Sequence, residues 1–311
     1  YGAHRYLHPS PTRRSSELIY EGAIKAAGFD GPVIFQEKYG QGEPTSAMMD
    51  AMLADARALD FERIIAVGGG TVLDMAKILA LGGKASAYDY FTGAAAPLKV
   101  KKLVAVPTTC GTGSEVTAIS ILELSELGTK KGLAGDFLFP DQAALVPELL
   151  ATLPYQVFAT SSVDALIHAV ESFVAPASNP MTELFALKAI DMIVAGYRRL
   201  TAEGKERLSA LTGDFLLASC YAGIAFGNTG VGAVHALSYP LGGTCHVPHG
   251  EANQQLFTAV FMEYRRRRPG GKLAELEAHL ARLLACEADD AWQALDARSE
   301  ERRVGKECRS R

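Results

Sequence analysis

Paired cysteines, a membrane-length apolar run and a basic body are all missing from this 311-residue chain. Five cysteines occur, but Cys110, Cys220, Cys245 and Cys286 form no Cys-x-x-Cys pair, and Cys308 lies in an atypical terminus. That pattern excludes a disulfide framework and fits reduced thiols in a cytoplasm, the expected location. No apolar run is long enough to span a bilayer, so no membrane partner is expected. The net charge is -4; residues 1–17 carry +2 and residues 298–311 carry +3, which leaves -9 for the stretch between them. An acidic body argues against nucleic acid as a partner. Neither Gly-x-Gly-x-x-Gly nor a Walker loop with its lysine is present.

Both ends differ from the rest. Residues 8–17 (His-Pro-Ser-Pro-Thr-Arg-Arg-Ser-Ser-Glu) and 298–311 (Arg-Ser-Glu-Glu-Arg-Arg-Val-Gly-Lys-Glu-Cys-Arg-Ser-Arg) show neither helical nor strand periodicity. Both resemble translated sequencing-adapter DNA, and both are set aside as artefactual tails, residues 1–17 and 298–311. On that expectation the first strand and the C-terminal part of the protein are missing.

The whole chain is 48% hydrophobic and 21% charged, as expected for a globular protein long enough for two domains. Residues 18–147 alternate short apolar runs with helical patterns. Pro32–Phe35, Arg63–Val67 and Leu103–Val106 read as strands, and Ala47–Leu59 and Val72–Leu81 as helices. Strand, glycine turn and helix in repetition predict an α/β domain with a parallel sheet, and continuous apolar strands predict that both faces of the sheet are covered. Residues 148–297 carry long apolar-periodic segments at Gln156–Val174, Pro180–Leu200, Glu206–Phe226 and Gly250–Arg268. Asn179-Pro180 is a helix start, with a capping residue followed by proline at the first helical position. The second half is predicted to be all-helical.

Two donor-rich loops end predicted strands. Gly68-Gly69-Gly70-Thr71-Val72-Leu73-Asp74 opens a helix, where glycines admit a phosphate close to the backbone and the helix N-terminus favours its charge. Thr108-Thr109-Cys110-Gly111-Thr112-Gly113-Ser114-Glu115 offers hydroxyl and backbone donors. Each alone also reads as a tight polar turn, with Asp74 aiding a helix start. Two such loops at strand carboxyl ends point to a ligand crevice.

Asp164 and His168 are four apart and share a helix face, with Glu171 three residues further on. The rest of that helix is apolar and should be buried, and a buried carboxylate and imidazole need partners. One solution is a mutually satisfied Asp–His pair. The other is a metal shell completed by His235 and His249, both in glycine-rich surroundings, with Glu171 orienting a ligand instead of binding. His246 lies three residues before His249 and either faces the same cavity or the surface. Arg265–Arg268 ends a helix, where cations are favourable in any case.

Taken together, Gly-Gly-Gly-Thr-x-x-Asp-x-x-Lys (68–77), Pro-Thr-Thr-x-Gly-Thr-Gly-Ser-Glu-Val-Thr (107–117), Asp-Ala-x-x-His-Ala-x-Glu (164–171) and the His235 to Pro-His249-Gly segment resemble the iron-containing, group III alcohol dehydrogenases. The resemblance covers roughly Leu18 to Ala297. It implies an N-terminal dinucleotide-binding α/β domain followed by an all-helical metal-binding domain, a dehydroquinate synthase-like architecture. It implies Asp164, His168, His235 and His249 as ligands of Fe(II), with zinc the alternative. It places Gly69, Gly70, Thr71, Asp74, Thr108, Thr109, Thr112 and Lys130 near NAD. Within the family the segment around His235 and Tyr239, and that from His246 to Asn253, look most like the 4-hydroxybutyrate dehydrogenases. Many relatives have a second histidine where this chain has Tyr239, which leaves Tyr239, His246 or water as the proton-relay candidates.

The expected reaction is NAD-dependent interconversion of a short primary alcohol and its aldehyde, with 4-hydroxybutyrate and succinate semialdehyde the specific expectation. Other iron-type alcohol dehydrogenase substrates, a dehydroquinate synthase-type lyase and a non-catalytic truncated fragment are the alternatives. The expected partners are a small alcohol or hydroxy acid and a second copy of the chain, in a homodimer.

Overall fold

The computed structural model describes residues 28, 31–40, 42–245, 247 and 249–301. Residues 1–27 and 302–311 lie outside it, and with them the N-terminal tail and the start of the expected α/β domain. The described residues fall into two units, divided between Lys38 and Tyr39. Pro32–Phe35, expected as a strand, is irregular chain leading into a 3-10 turn at Gln36–Lys38. A strand exists only where a ladder partner satisfies its backbone, and among the described residues nothing pairs with this segment.

The second unit begins with α1 (Ser46–Arg57), whose Thr45 hydroxyl accepts from the Met48 amide as an N-cap. Strand β1 (Arg63–Gly68) follows, then α2 (Gly70–Leu79), α3 (Ala87–Thr92) and β2 (Lys102–Pro107). β1 and β2 pair in parallel, from Arg63 opposite Lys102 to Gly68 opposite Pro107. Their carboxyl ends therefore emerge side by side, one feeding each donor-rich loop. The short β5 (Gln142–Ala143) extends the sheet in the order β1-β2-β5, after the antiparallel hairpin β3 (Ile119–Leu124) and β4 (Thr129–Ala134). Leu73 and Ala76 of α2 pack on Ala66, Leu103 and Ala105 of the sheet. The other face is not covered as the apolar runs suggested. Ile65 is 56% and Val67 38% exposed, because among the described residues only one side of β1 meets a helix.

From Tyr155 onward the unit is helical: α4 (Tyr155–Val174), α5 (Pro180–Glu203), α6 (Thr212–Thr229), α7 (Ala233–Cys245), α8 (His249–Arg267), α9 (Gly271–Leu284) and α10 (Ala291–Glu301). Asn179 caps α5 in a reciprocal capping box, with Pro180 in its first turn. The expected helix Glu206–Phe226 is instead a 3-10 turn, Lys205–Ala210, followed by α6. α7 contains Pro240 and was not anticipated. α10 continues through Glu301, four residues into the segment set aside as a tail, because alanine, arginine and glutamate sustain a helix without an apolar stripe.

Helix α4 runs through the middle of this layer. It packs against α5, α6 and α8, and its residues from Ser162 to Phe173 are all buried. By length and composition it is apolar enough to cross a membrane, which the sequence reading had excluded, yet 72% of the relevant window is buried within the protein. Phe158 meets Phe215 edge-on at 4.7 Å and lies 5.9 Å from Tyr197, a packed aromatic cluster at the start of α4.

Candidate metal centre and cofactor loops

Helix α4 carries Asp164, His168 and Glu171, all buried in an otherwise apolar setting. α7 supplies His235 and the first residue of α8 supplies His249. One ligand atom each from Asp164, His235 and His249 lie within 4.8 Å of one another. Asp164 Oδ1 is 3.5 Å from His235 Nε2 and 3.9 Å from His249 Nε2. His168 is not part of this triple. Its Nδ1 is 4.0 Å from Asp164 Oδ2, and its ring is stacked between Phe226 at 4.1 Å and His235 at 4.4 Å.

The outer contacts orient these rings. His235 Nδ1 is 2.6 Å from Glu171 Oε2, and Glu171 Oε1 accepts from the Val234 amide at 2.7 Å. With Nδ1 as the donor, the Nε2 lone pair points inward. His168 Nδ1 lies 3.3 Å from the Gly111 carbonyl, an arrangement that likewise leaves Nε2 for a ligand. Metal-binding histidines are held in this way, one nitrogen anchored by a carboxylate or carbonyl. Asn253, one turn after His249, donates from Nδ2 to Asp164 Oδ1 at 2.7 Å and sits 3.1 Å from His249 Nε2.

Burial alone would raise the Asp164 carboxyl, but the charges of His168, His249 and His235 reverse that and hold it well below the usual carboxylate range. Burial pushes His168 down to about 4 and lowers His249 as well. It would also lower His235, but the neighbouring carboxylates of Asp164 and Glu171 lift that ring to about 9. A divalent ion fits this donor set, one carboxylate with imidazoles. His235 Nε2 is buried without a hydrogen-bond partner, as a ligand atom awaiting an ion would be.

The relay candidates fare differently. Tyr239 lies with its ring 6.2 Å from that of His249, inclined by 16°. Burial, then the charges of Asp164 and Glu171, raise its hydroxyl, which therefore stays protonated near neutral pH. His246 lies outside the described residues.

The two loops touch each other, and the second also touches the metal helix. Thr108 donates its amide to the Gly68 carbonyl at 3.0 Å. A Cβ on Gly70 would stand 2.7 Å from Thr112 Cγ2, and one on Gly69 3.3 Å from Thr109 Cγ2, so the glycines let the threonine loop settle against the first turn of α2. Gly113 adopts φ +59° and lies against Gly223 of α6, where an added Cβ would be 2.5 Å from the Gly223 Cα. Thr71 Oγ1 donates to the Gly42 carbonyl at 3.4 Å. Asp74 is engaged in bracing: its carboxylate accepts from Ser114 Oγ at 2.5 Å and from the Ile121 amide at 3.0 Å. Lys130 on β4 is ion-paired with Glu43, and both charges act on His249.

Three groups went unread in the sequence. Asn253 stands four residues after His249, a spacing that places both on one face of α8. Lys77 is fully buried, with Nζ donating to Ser114 Oγ at 2.7 Å, Thr117 Oγ1 at 3.2 Å and the Ile119 carbonyl at 2.6 Å. Glu115 is buried, has Oε1 unpartnered, and is pushed up to about 6, chiefly by burial.

Comparison with known proteins matches residues 18–147 to the family described as iron-containing alcohol dehydrogenase, and residues 158–301 to the C-terminal region of the same family. The chain belongs to the iron-containing alcohol dehydrogenase family. Among relatives of this iron-type dehydrogenase, a 4-hydroxybutyrate dehydrogenase of Clostridium kluyveri is 47% identical over 281 residues, 90% of this chain and 76% of that one. Long-chain-alcohol dehydrogenase 1 of Geobacillus thermodenitrificans is 39% identical over 75% of this chain, which spans 59% of that relative. Among solved structures, a sulfoacetaldehyde reductase of Bifidobacterium kashiwanohense in complex with NAD+ superposes with a TM-score of 0.80 at 26% identity, covering 93% of this chain and 76% of that one. These matches agree with the architecture expected from the sequence, a parallel α/β part followed by a helical part.

Proposed function

We propose that this protein is an NAD-dependent dehydrogenase that interconverts 4-hydroxybutyrate and succinate semialdehyde, with Asp164, His168, His235 and His249 as ligands of iron. The observation that carries the substrate is the 47% identity to the Clostridium enzyme over most of the chain. The convergence of Asp164, His235 and His249 supports the metal role. His168 joins the shell through Nε2, its other nitrogen being held by Gly111. Nothing in the donor set separates iron from zinc, and availability decides between them.

A divalent ion held there supplies Lewis acidity toward an alcohol or carbonyl oxygen. NAD supplies the hydride acceptor. The chain's own groups do the rest. Glu171 fixes the His235 ring and Asn253 fixes one oxygen of Asp164, so the donors are set before substrate arrives. The backbone of Gly69 and Gly70 and the hydroxyls of Thr71, Thr108, Thr109 and Thr112 offer donors for the cofactor's phosphates and ribose. Asp74 acts through Ser114, holding the threonine loop in place. Tyr239 keeps its proton and can return it to the substrate oxygen during aldehyde reduction. In this reading residues 18–147 serve the cofactor, residues 148–297 serve metal and substrate, and the working form is a cytoplasmic homodimer.

The test is NADH formation by the iron-loaded chain with 4-hydroxybutyrate, against ethanol and 1,2-propanediol. Preference for the hydroxy acid, lost on chelation and restored by iron, is the expected result. Activity untouched by a chelator would refute the metal role, and a redox-neutral product would select the lyase.

A further inference from the structure

Lys77 is the last residue of the 68–77 motif, and the proposed reaction gives it no role. Its side chain is fully buried, where an ammonium is costly unless every N–H is bonded and its charge is met. Both conditions hold. An ammonium has three donors and no acceptor. Ser114 Oγ at 2.7 Å, Thr117 Oγ1 at 3.2 Å and the Ile119 carbonyl at 2.6 Å take all three. Asp74, three residues earlier on the same face of α2, brings its carboxylate to 3.5 Å.

These contacts dictate what Ser114 does. Lys77 can only donate, so Ser114 Oγ accepts from it and gives its single proton to Asp74 Oδ1 at 2.5 Å. The Ser114 amide in turn donates to Thr112 Oγ1 at 3.3 Å, which leaves the Thr112 hydroxyl proton available to another acceptor. Thr112 is the residue that fills the space over Gly70, in the first turn of α2. A line of contacts therefore runs from the buried ammonium through Ser114 to the junction of the two donor-rich loops. The second oxygen of Asp74 accepts from the Ile121 amide and ties β3 to the same point.

We propose that Lys77 is a positioning residue for the dinucleotide: acting through Ser114, it holds the Thr108–Glu115 loop on the first turn of α2, so that Gly70 and Thr112 present their donors together. The inference rests on the dehydrogenase reading and deepens it, because it names a group that sets the cofactor cradle from behind. With its side chain shut off from solvent, Lys77 cannot touch a ligand and can act only through the loop. Removing the ammonium leaves three oxygens and the Asp74 carboxylate buried without their common partner. The loop then regains hydrogen bonds only by moving toward water, away from α2.

The experiment titrates NADH, followed by its own fluorescence, into the iron-loaded chain and its Lys77→Met, Ser114→Ala and doubly substituted variants, with a thermal melt of each. In Lys77→Met the Kd for NADH should rise by about 10- to 100-fold, the range for losing one charged hydrogen bond. In Ser114→Ala it should rise by about tenfold. The double variant should bind NADH no more weakly than Lys77→Met alone, because the two residues act in series. A lowered melting temperature with an unchanged Kd in either single variant marks a merely structural role and overturns the proposal, and so does a double variant in which the two losses add. If Lys77→Met does not fold, Ser114→Ala decides, and an unchanged Kd there overturns the proposal. Wild-type protein that does not bind NADH defeats the dehydrogenase reading itself; wild-type protein that binds it, with the same Kd in the variants, defeats only the role of Lys77.

Discussion

Glu171 Oε2 lies 2.6 Å from His235 Nδ1, so a residue that need not touch a metal determines which nitrogen of His235 faces one. Glu171→Gln keeps the shape and removes the charge that favours Nδ1 as the donor. Metal affinity should drop by about 10- to 100-fold, measured by competition with a fluorescent chelator. Equal affinity in both proteins would show that the ring is positioned by packing alone.

Asn253 donates to Asp164 Oδ1 at 2.7 Å and fixes one carboxylate oxygen inside the shell. In Asn253→Ala that oxygen is free to rotate, and kcat/KM should fall about tenfold through metal occupancy more than through KM for NAD. Titrating iron into wild type and variant, with activity as readout, separates the two. A loss confined to NAD affinity would count against this role.

Glu115 has a folded-state value of about 6 against an ordinary 4.5, because burial opposes its charge. The folded protein therefore holds this proton more tightly than the unfolded chain does. Its stabilising effect is present below about pH 4.5 and is lost as pH rises through 6. At pH 8 the buried carboxylate costs about 2 kcal/mol, so Glu115→Gln should be the more stable protein there, with the advantage vanishing near pH 4.5. Urea midpoints at both pH values check this, and a pH-independent difference would contradict it.

Gly113 combines a left-handed φ of +59° with a Gly223 Cα in the way of any Cβ. Gly113→Ala should cost about 2–4 kcal/mol from the two effects together. A thermal melt lowered by roughly 5–15 °C is the expected reading. A shift within a degree or two would mean that α6 moves aside readily.

Much of this arrangement is legible locally. Asp164, His168 and Glu171 announce one helix face by spacing alone, and β1 and β2 by apolar runs ending in glycine or Pro-Thr-Thr. The unread parts depend on partners distant in sequence. Pro32–Phe35 has strand-like composition, but composition does not supply a ladder partner. α7 hides behind Pro240 and neighbouring glycines, which locally signal a break, while packing against α8 sustains the helix. Lys77 looks like a surface residue of an amphipathic helix until β3 and the threonine loop close over it. The hairpin Ile119–Ala134 carries a local signal of its own, an alternating strand and Gly128 in the turn.

The contact between His168 Nδ1 and the Gly111 carbonyl joins two sites that the sequence treats as separate. Under the proposed assignment the imidazole belongs to the metal shell and the carbonyl to the loop that faces the cofactor. Whatever fixes the ring also narrows the range of the loop, and whatever settles the loop steadies the ring. Under that assignment, metal and dinucleotide binding are expected to be coupled through this contact. Such coupling is reciprocal, so removing the metal should change the affinity for NAD by the same factor as removing NAD changes the affinity for the metal.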